Sequence, residues 1–248
     1  MVINKNSSTS IFFIRHGESE NNIIEDVLIE NKNKITKKKM LNIIKKKRKS
    51  DPNLTTKGVS QSKKLGRYLK KNIDVNKKFR IYTSPFKRAL DTTYNLLKPF
   101  KKKNYEVIVH PEIFENGGVY YINSQNKNIG SQECLSSSDI YEKYGYNVDL
   151  LLKKGPWYNK KWENEKESMK RVKKIVKWIK SIKFKKENYD NLVIFVMHAD
   201  FINDLQKKLL NINDSHVYFD ILNTSFSCFE LHNQSIKVDC ISNVEHLI

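Results

Sequence analysis

Six consecutive apolar residues, Leu192-Val193-Ile194-Phe195-Val196-Met197, run without a polar interruption into His198. A strand with no apolar/polar alternation is buried on both faces, which places it at the centre of a parallel sheet covered by helices on either side. A second apolar run, Ile11-Phe12-Phe13-Ile14, ends at Arg15-His16-Gly17-Glu18-Ser19. In open α/β sheets ligands bind beyond the carboxyl ends of the strands. Gly17 is read as a tight turn, and the polar residues after it as the start of a helix whose free amides face an anion. A cation and a nucleophile at that edge suggest phosphoryl chemistry, although the tripeptide alone does not separate this from an ordinary loop histidine. The second histidine decides: His198 at another strand-to-helix turn is hard to explain as packing.

The remaining pattern supplies supporting groups. Thr55 is a cap candidate for a helix with Leu65, Tyr68 and Leu69 on its apolar stripe. Phe79–Thr83 reads as a strand followed by Ser84 as N-cap and Pro85 at the first helical position, which puts Arg88 one turn into a helix at the same sheet edge as Arg15. Ala89, Leu90, Thr93 and Leu97 form its buried face. Val107-Ile108-Val109 is a short strand, and the loop after it, His110 to Gly118, contains Glu112 and Glu115. Glu115, between Phe114 and a pair of glycines, is placed to be half-buried with a raised pKa, as a general acid requires. Glu112 is assigned to solvent. Met169, Val172, Ile175, Val176, Ile179 and Ile182 recur at helical spacing with lysines opposite. Ser225–Leu231 and Ile236–Ile241 read as a terminal hairpin completing the sheet.

A chain of 248 residues with 39 % hydrophobic residues suits one large α/β domain, 1–248, with a Lys-rich insertion at about 23–52 and a long excursion at about 119–160. Within the insertion Met40, Ile43 and Ile44 share a face of a marginal helix, and its charge either steers an anionic substrate or is merely solvated. The net charge is +19, yet arginine occurs only at 15, 48, 67, 80, 88 and 171. Bidentate recognition of bases and phosphates favours arginine, so a Lys/Asn compositional bias explains the charge better than a nucleic acid partner. Cys134, Cys228 and Cys240 have neither disulfide-framework nor zinc-site spacing. The residues before Ser10 are polar and the first apolar run is too short for a signal-peptide core or membrane span. A cytoplasmic protein with no membrane partner is expected.

Arg15-His16-Gly17-Glu18-Ser19 with Asn22, Leu54-Thr55 with Gly58 and Gln61, Ser84-Pro85-Phe86-Lys87-Arg88-Ala89, Glu115 and His198 stand in the order seen in the histidine phosphatase superfamily. The chain resembles its phosphoglycerate-mutase-like branch over nearly its whole length outside the Lys-rich stretch. The resemblance implies a three-layer α/β/α sandwich whose central, mostly parallel sheet contains one antiparallel strand. It also implies His16 as the nucleophile that becomes phosphohistidine, Arg15, Arg88 and His198 as ligands of the phosphoryl oxygens, Asn22 near the transferred group with Ser19 and Gly17, and Glu115 as proton donor. No metal or other cofactor is implied. Two departures from the family pattern concern the second histidine: Ala199 follows it where glycine is usual, and Asp200 stands one residue beyond the acidic position of the acid-phosphatase branch. Asp200 is assigned to helix capping, with proton donation as its alternative.

Mutases of this branch have a Gly-Trp stretch after the Arg-His-Gly turn and a Tyr-Gly plus paired-Arg segment. Here these regions hold the Lys-rich insertion and Tyr144-Gly145-Tyr146-Asn147. The sequence is therefore read as a metal-independent phosphomonoester hydrolase acting on a small phosphorylated substrate or a phosphoprotein. The alternatives are a phosphoglycerate mutase, which alone would use 2,3-bisphosphoglycerate, and a non-catalytic phospho-ligand binding module. Trp157, Tyr158 and Trp162 are assigned to core packing, with contact to a leaving group as the alternative. A homo-oligomer is left open.

Overall fold

A computed structural model describes residues 8–73, 78–151, 155–182, 192–232 and 235–248. The polar N-terminal stretch 1–7 and residues 152–154 of the long excursion lie outside the described residues. In chain order the elements are β1 (Thr9–Arg15), α1 (Glu20–Glu30), α2 (Lys37–Lys47), α3 (Thr56–Asn72), β2 (Phe79–Thr83), α4 (Lys87–Leu97), β3 (Tyr105–Val109), β4 (Tyr120–Ile122), β5 (Asn128–Gly130), α5 (Ser137–Tyr144), α6 (Glu165–Ser181), β6 (Leu192–Met197), α7 (Ala199–Leu209), β7 (Phe226–Leu231) and β8 (Ile236–Asn243).

The apolar run of β6 sits inside the main sheet, whose strand order is β3-β2-β6-β1-β7-β8. Strands β3, β2, β6 and β1 are parallel. β7 is antiparallel to both β1 and β8, and among the described strands of this sheet is the one that runs against the others. Alternate residues of β6 feed two cores. Ile194 and Val196 pack with Leu65, Leu69, Ala89, Leu90 and Leu97 of α3 and α4. Val193, Phe195 and Met197 pack with Val172, Ile175, Phe201 and Leu205 of α6 and α7. Helices thus cover both faces, the three-layer α/β/α arrangement that an uninterrupted apolar strand requires.

Register then places the site. Arg15 pairs with Met197, so β1 and β6 end level and deliver His16 and His198 side by side. The backbone N–H of His16 donates to the Met197 carbonyl at 3.0 Å. β2 and β3 end at the same edge and lead into Arg88 and Glu115.

Three local expectations change. α4 begins at Lys87 with Phe86 as N-cap, two residues later than the Ser-Pro signal predicts; the Ser84 hydroxyl accepts from Phe86 N at 3.4 Å and lies 2.8 Å from His198 Nε2. The Lys-rich stretch is ordered structure: Glu20–Glu30 is one helix, and α2 is capped by Thr36, whose hydroxyl accepts from Lys39 N. No residue of α2 is buried, consistent with its charge. Within the excursion, β4 and β5 form a small antiparallel ribbon and α5 follows.

Candidate active site

The loop after β1 is fixed by two glycines rather than by an unusual turn. A Cβ on Gly17 would lie 2.5 Å from the Gly58 carbonyl oxygen, and one on Gly58 would lie 2.1 Å from that of Glu18. Both are glycine because the start of α3 lies directly against the Arg-His-Gly backbone, which corrects the tight-turn reading of Gly17. Glu18 completes the clamp. It accepts from the Thr55 hydroxyl at 2.7 Å and from Lys57 Nζ at 2.6 Å, while its N–H donates to Gln61 Oε1 at 2.9 Å.

On this support His16 is only 3 % exposed. Its Nδ1 lies 2.7 Å from the Gly17 carbonyl, which can only accept, so the proton resides on Nδ1 and the lone pair on Nε2. Arg88 Nε–H donates to that lone pair at 3.0 Å. Burial, then the charges of Arg88 and Arg15, holds the imidazole neutral well below the ordinary histidine range. Arg15 donates from Nη1 to the Ile221 carbonyl at 2.7 Å, and its Nε has no partner among the described residues. Arg88 is itself buried over the Phe86 ring, and desolvation brings its pKa down to about 10 despite the opposing influence of Asp51 and Glu115.

Glu115 is half-buried, as the sequence reading expects. Its carboxylate accepts from Asn116 N (2.9 Å) and Phe201 N (3.0 Å), with Asp200 N at 3.4 Å. Glu115 therefore satisfies the first amides of α7, the capping role assigned from sequence to Asp200, which is exposed at the rim. Desolvation and the nearby Asp200 charge push the Glu115 carboxyl up to about 7, against the lowering effect of those amides and Arg88.

Arg15, His16, Ser19, Asn22, Arg88 and Glu115 line one cavity of about 520 Å³. His198 is fully buried behind it, its ring centroid 5.1 Å from that of His16. It meets the site through its neighbour rather than as a wall residue, and its Nδ1 has no partner among the described residues. Ser19 N–H and Oγ–H both donate to Asn22 Oδ1, at 3.0 and 2.9 Å, which turns the Asn22 amide nitrogen toward Glu25 Oε2 at 3.2 Å. Trp157 and Tyr158 are core residues, whereas Trp162 is exposed rather than packed in the core.

The sequence reading missed several groups in the cavity wall. Arg48, just past α2, is held by Nη1 to the Tyr120 carbonyl at 2.7 Å with its guanidinium 3.8 Å from the Tyr120 ring centroid. Asn223 donates to the His16 carbonyl and to Asn22 Oδ1, and Glu25, Asp26 and Asp220 add carboxylates at the mouth. Lone polar residues in loops and exposed helix faces carry no periodic signal, so only their placement reveals them. Asp51 was also missed. It is buried, accepts from Lys87 N at 3.0 Å at the start of α4, and its Oδ2 has no partner among the described residues.

The family model for the histidine phosphatase superfamily (branch 1) matches residues 11–244. The chain belongs to the histidine phosphatase superfamily. Among solved structures of similar fold, phosphoserine phosphatase from Entamoeba histolytica is 19 % identical, covering 97 % of this chain and 100 % of that one, with a TM-score of 0.54. A mycobacterial glucosyl-3-phosphoglycerate phosphatase is 14 % identical over 94 % of this chain and 98 % of its own, TM-score 0.54. A protein histidine phosphatase is 12 % identical over 96 % and 99 %, TM-score 0.51. A search of curated proteins returns no match. At these identities the likeness establishes the histidine phosphatase fold and leaves the substrate open. Among the described residues no group of three or more His, Cys, Asp or Glu side chains is placed to hold a metal ion, and no helix is long and apolar enough to cross a membrane.

Proposed function

We propose that this histidine phosphatase superfamily member hydrolyses phosphomonoesters through a phosphohistidine on His16. The observation that carries the reading is the neutral His16 ring, its Nε2 lone pair held by Arg88 Nε–H at 3.0 Å, in a cavity shared with a Glu115 carboxyl whose pKa is about 7. In the first step Arg88 releases Nε2 and engages the phosphoryl oxygens with Arg15. Nε2 bonds to phosphorus, the P–O ester bond breaks, and Glu115 gives its proton to the leaving oxygen. In the second step the Glu115 carboxylate takes a proton from water as its oxygen attacks phosphorus, and the P–N bond breaks to release phosphate. The two guanidinium groups neutralise the equatorial oxygens, the main requirement of phosphoryl transfer. His198 stays behind the His16 ring, its Nε2 2.8 Å from the Ser84 hydroxyl, and supports the nucleophile from the buried side.

Hydrolysis is preferred to transfer because the mutase-specific stretches are lacking in the sequence. Structural neighbours named for a phosphorylated amino acid, a phosphorylated sugar acid and a phosphoprotein leave a small ester or a phosphoprotein as substrate. The test is release of p-nitrophenol from p-nitrophenyl phosphate in EDTA between pH 5 and 8, with His16→Ala as control. Turnover with acid-labile phosphate trapped on wild type and none on His16→Ala supports the reading, and no turnover by wild type sinks it. Conversion of 3- to 2-phosphoglycerate at a rate matching hydrolysis would favour the mutase instead.

A further inference from the structure

Glu115 lies in a loop between β3 and β4, with no strand or helix of its own to hold it, yet a proton donor works only when held within hydrogen-bond reach of the leaving oxygen. The support comes from α6 and the turn before it. Arg171 is 7 % exposed. Its Nε and Nη2 form a bidentate pair with Glu163 Oε1 and Oε2 at 2.8 and 2.6 Å. The remaining amine, Nη1, donates to the carbonyls of Glu112 at 3.0 Å and Phe114 at 2.9 Å. The guanidinium also stacks 3.7 Å from the centroid of Phe114 and 4.5 Å from that of Phe201. Phe114 precedes Glu115, and Phe201 supplies one of the N–H groups that the Glu115 carboxylate accepts.

The far side of Glu115 is fastened by the same helix. Ser168, one turn before Arg171, donates from Oγ to Asn116 Oδ1 at 2.6 Å, and Asn116 Nδ2 donates onward to Asp204 Oδ2 at 2.9 Å. Glu163 N–H donates to the Gly117 carbonyl at 3.2 Å. A buried Arg–Glu pair by itself adds little to stability compared with apolar residues of the same volume. What an apolar replacement could not supply is the fork of donors joining Glu163 to two loop carbonyls.

We infer that Arg171, locked by Glu163 and assisted by Ser168, is a positioning residue that sets the Glu115 carboxyl for proton donation. The inference rests on Glu115 being the proton donor of the proposed reaction. Arg171 does not line the cavity that holds His16 and Glu115; it borders a separate surface pocket and acts on Glu115 through the loop.

The test compares two substrates that need the donor to different degrees: p-nitrophenyl phosphate, whose leaving phenolate needs little protonation, and glycerol 3-phosphate, whose leaving alkoxide needs it fully. Arg171→Met keeps the bulk and removes the fork. It is expected to lower kcat on glycerol 3-phosphate about tenfold, a fraction of the usual general-acid contribution, and to change kcat on p-nitrophenyl phosphate less than about threefold. Arg171→Lys should recover part of the loss. In a Glu115→Gln background Arg171→Met should cause no further loss on glycerol 3-phosphate, since two changes in one unit are non-additive. Equal losses on both substrates, or a full additional loss in the Glu115→Gln background, would overturn the brace. If Glu115→Gln itself shows no difference between the substrates, the donor assignment fails instead. Should Arg171→Met not fold, Ser168→Ala removes only the Asn116 tie and must show the same substrate bias to a smaller degree. A carbon-13 titration of the Glu115 carboxyl gives a reading without turnover. Its midpoint should move toward the ordinary carboxyl range in Arg171→Met, and an unchanged midpoint overturns the brace.

Discussion

Arg88 Nε–H donates to His16 Nε2 across 3.0 Å, so the lone pair of the proposed nucleophile is occupied by the cation that the proposed reaction needs on the phosphoryl group. The contact keeps the ring in the tautomer that Gly17 dictates, and an arriving phosphate exchanges one anchor for another. Arg88→Lys retains the charge but loses the planar fork. It is expected to lower kcat/KM by about 10²-fold on any phosphomonoester, on the scale of removing one transition-state donor. Steady-state kinetics with p-nitrophenyl phosphate check this, and a loss under threefold would assign Arg88 to structure alone.

The pH dependence follows from two displaced groups. His16 is held neutral well below the ordinary histidine range, so it is competent from mildly acidic pH upward. Glu115 is protonated below about 7. With an alkyl phosphomonoester, kcat/KM should therefore be level between pH 5 and 7 and fall about tenfold per unit above it. Glu115→Gln should remove that alkaline limb, which a profile from pH 5 to 9 would reveal.

Asp51 makes a prediction about stability. Burial raises its carboxyl from 3.8 to about 7, with the Arg88 charge the largest opposing influence. The folded state therefore binds a proton that the unfolded chain releases. The associated stability is fully present below about pH 4 and is lost as pH rises through 7. Asp51→Asn keeps an acceptor for Lys87 N and is expected to raise Tm at pH 8 while leaving it nearly unchanged at pH 4. Each kcal/mol recovered is worth about 2–4 °C for a chain of this size. A Tm at pH 8 equal to or below that of wild type in thermal melts would show that Asp51 stays ionised as the counter-charge of Arg88.

Much of this was legible from the sequence for a physical reason. Buried strands and amphipathic helices announce themselves by periodicity, so β1, β2, β6, α6 and α7 were readable, and histidines at strand ends follow from where the strands stop. Backbone proximity leaves no such mark. The Gly17–Gly58 approach joins residues 41 positions apart, and Glu115 reaches the amides of α7 from a loop more than 80 residues earlier. Asp200 was assigned to that cap because it adjoins the helix in sequence. The carboxylate that arrived first in space came from elsewhere, as did Asp51 at the start of α4.

The sequence leaves the Lys-rich stretch as either a steering surface or a solvated insertion, and the cation it brings to the cavity wall, beside Glu25 and Asp26, is an arginine. None of the lysines of α2 lines the cavity, while Arg48 does, fixed to the Tyr120 carbonyl and stacked on its ring. Its charge reaches far enough to lower the proton affinity of Arg88. Arg48→Ala is expected to raise KM about tenfold with kcat changed less, the effect of one charge-assisted hydrogen bond of about 1.5 kcal/mol. The combined variant Lys37→Gln, Lys38→Gln, Lys39→Gln should leave KM within about twofold of wild type, because none of these lysines lines the cavity and exposed charges are screened at physiological salt. Steady-state kinetics at 20 and 150 mM salt separate the two roles. A KM unchanged in Arg48→Ala would remove Arg48 from substrate binding. A salt dependence flattened only in the lysine variant would restore the steering role to the helix as a whole.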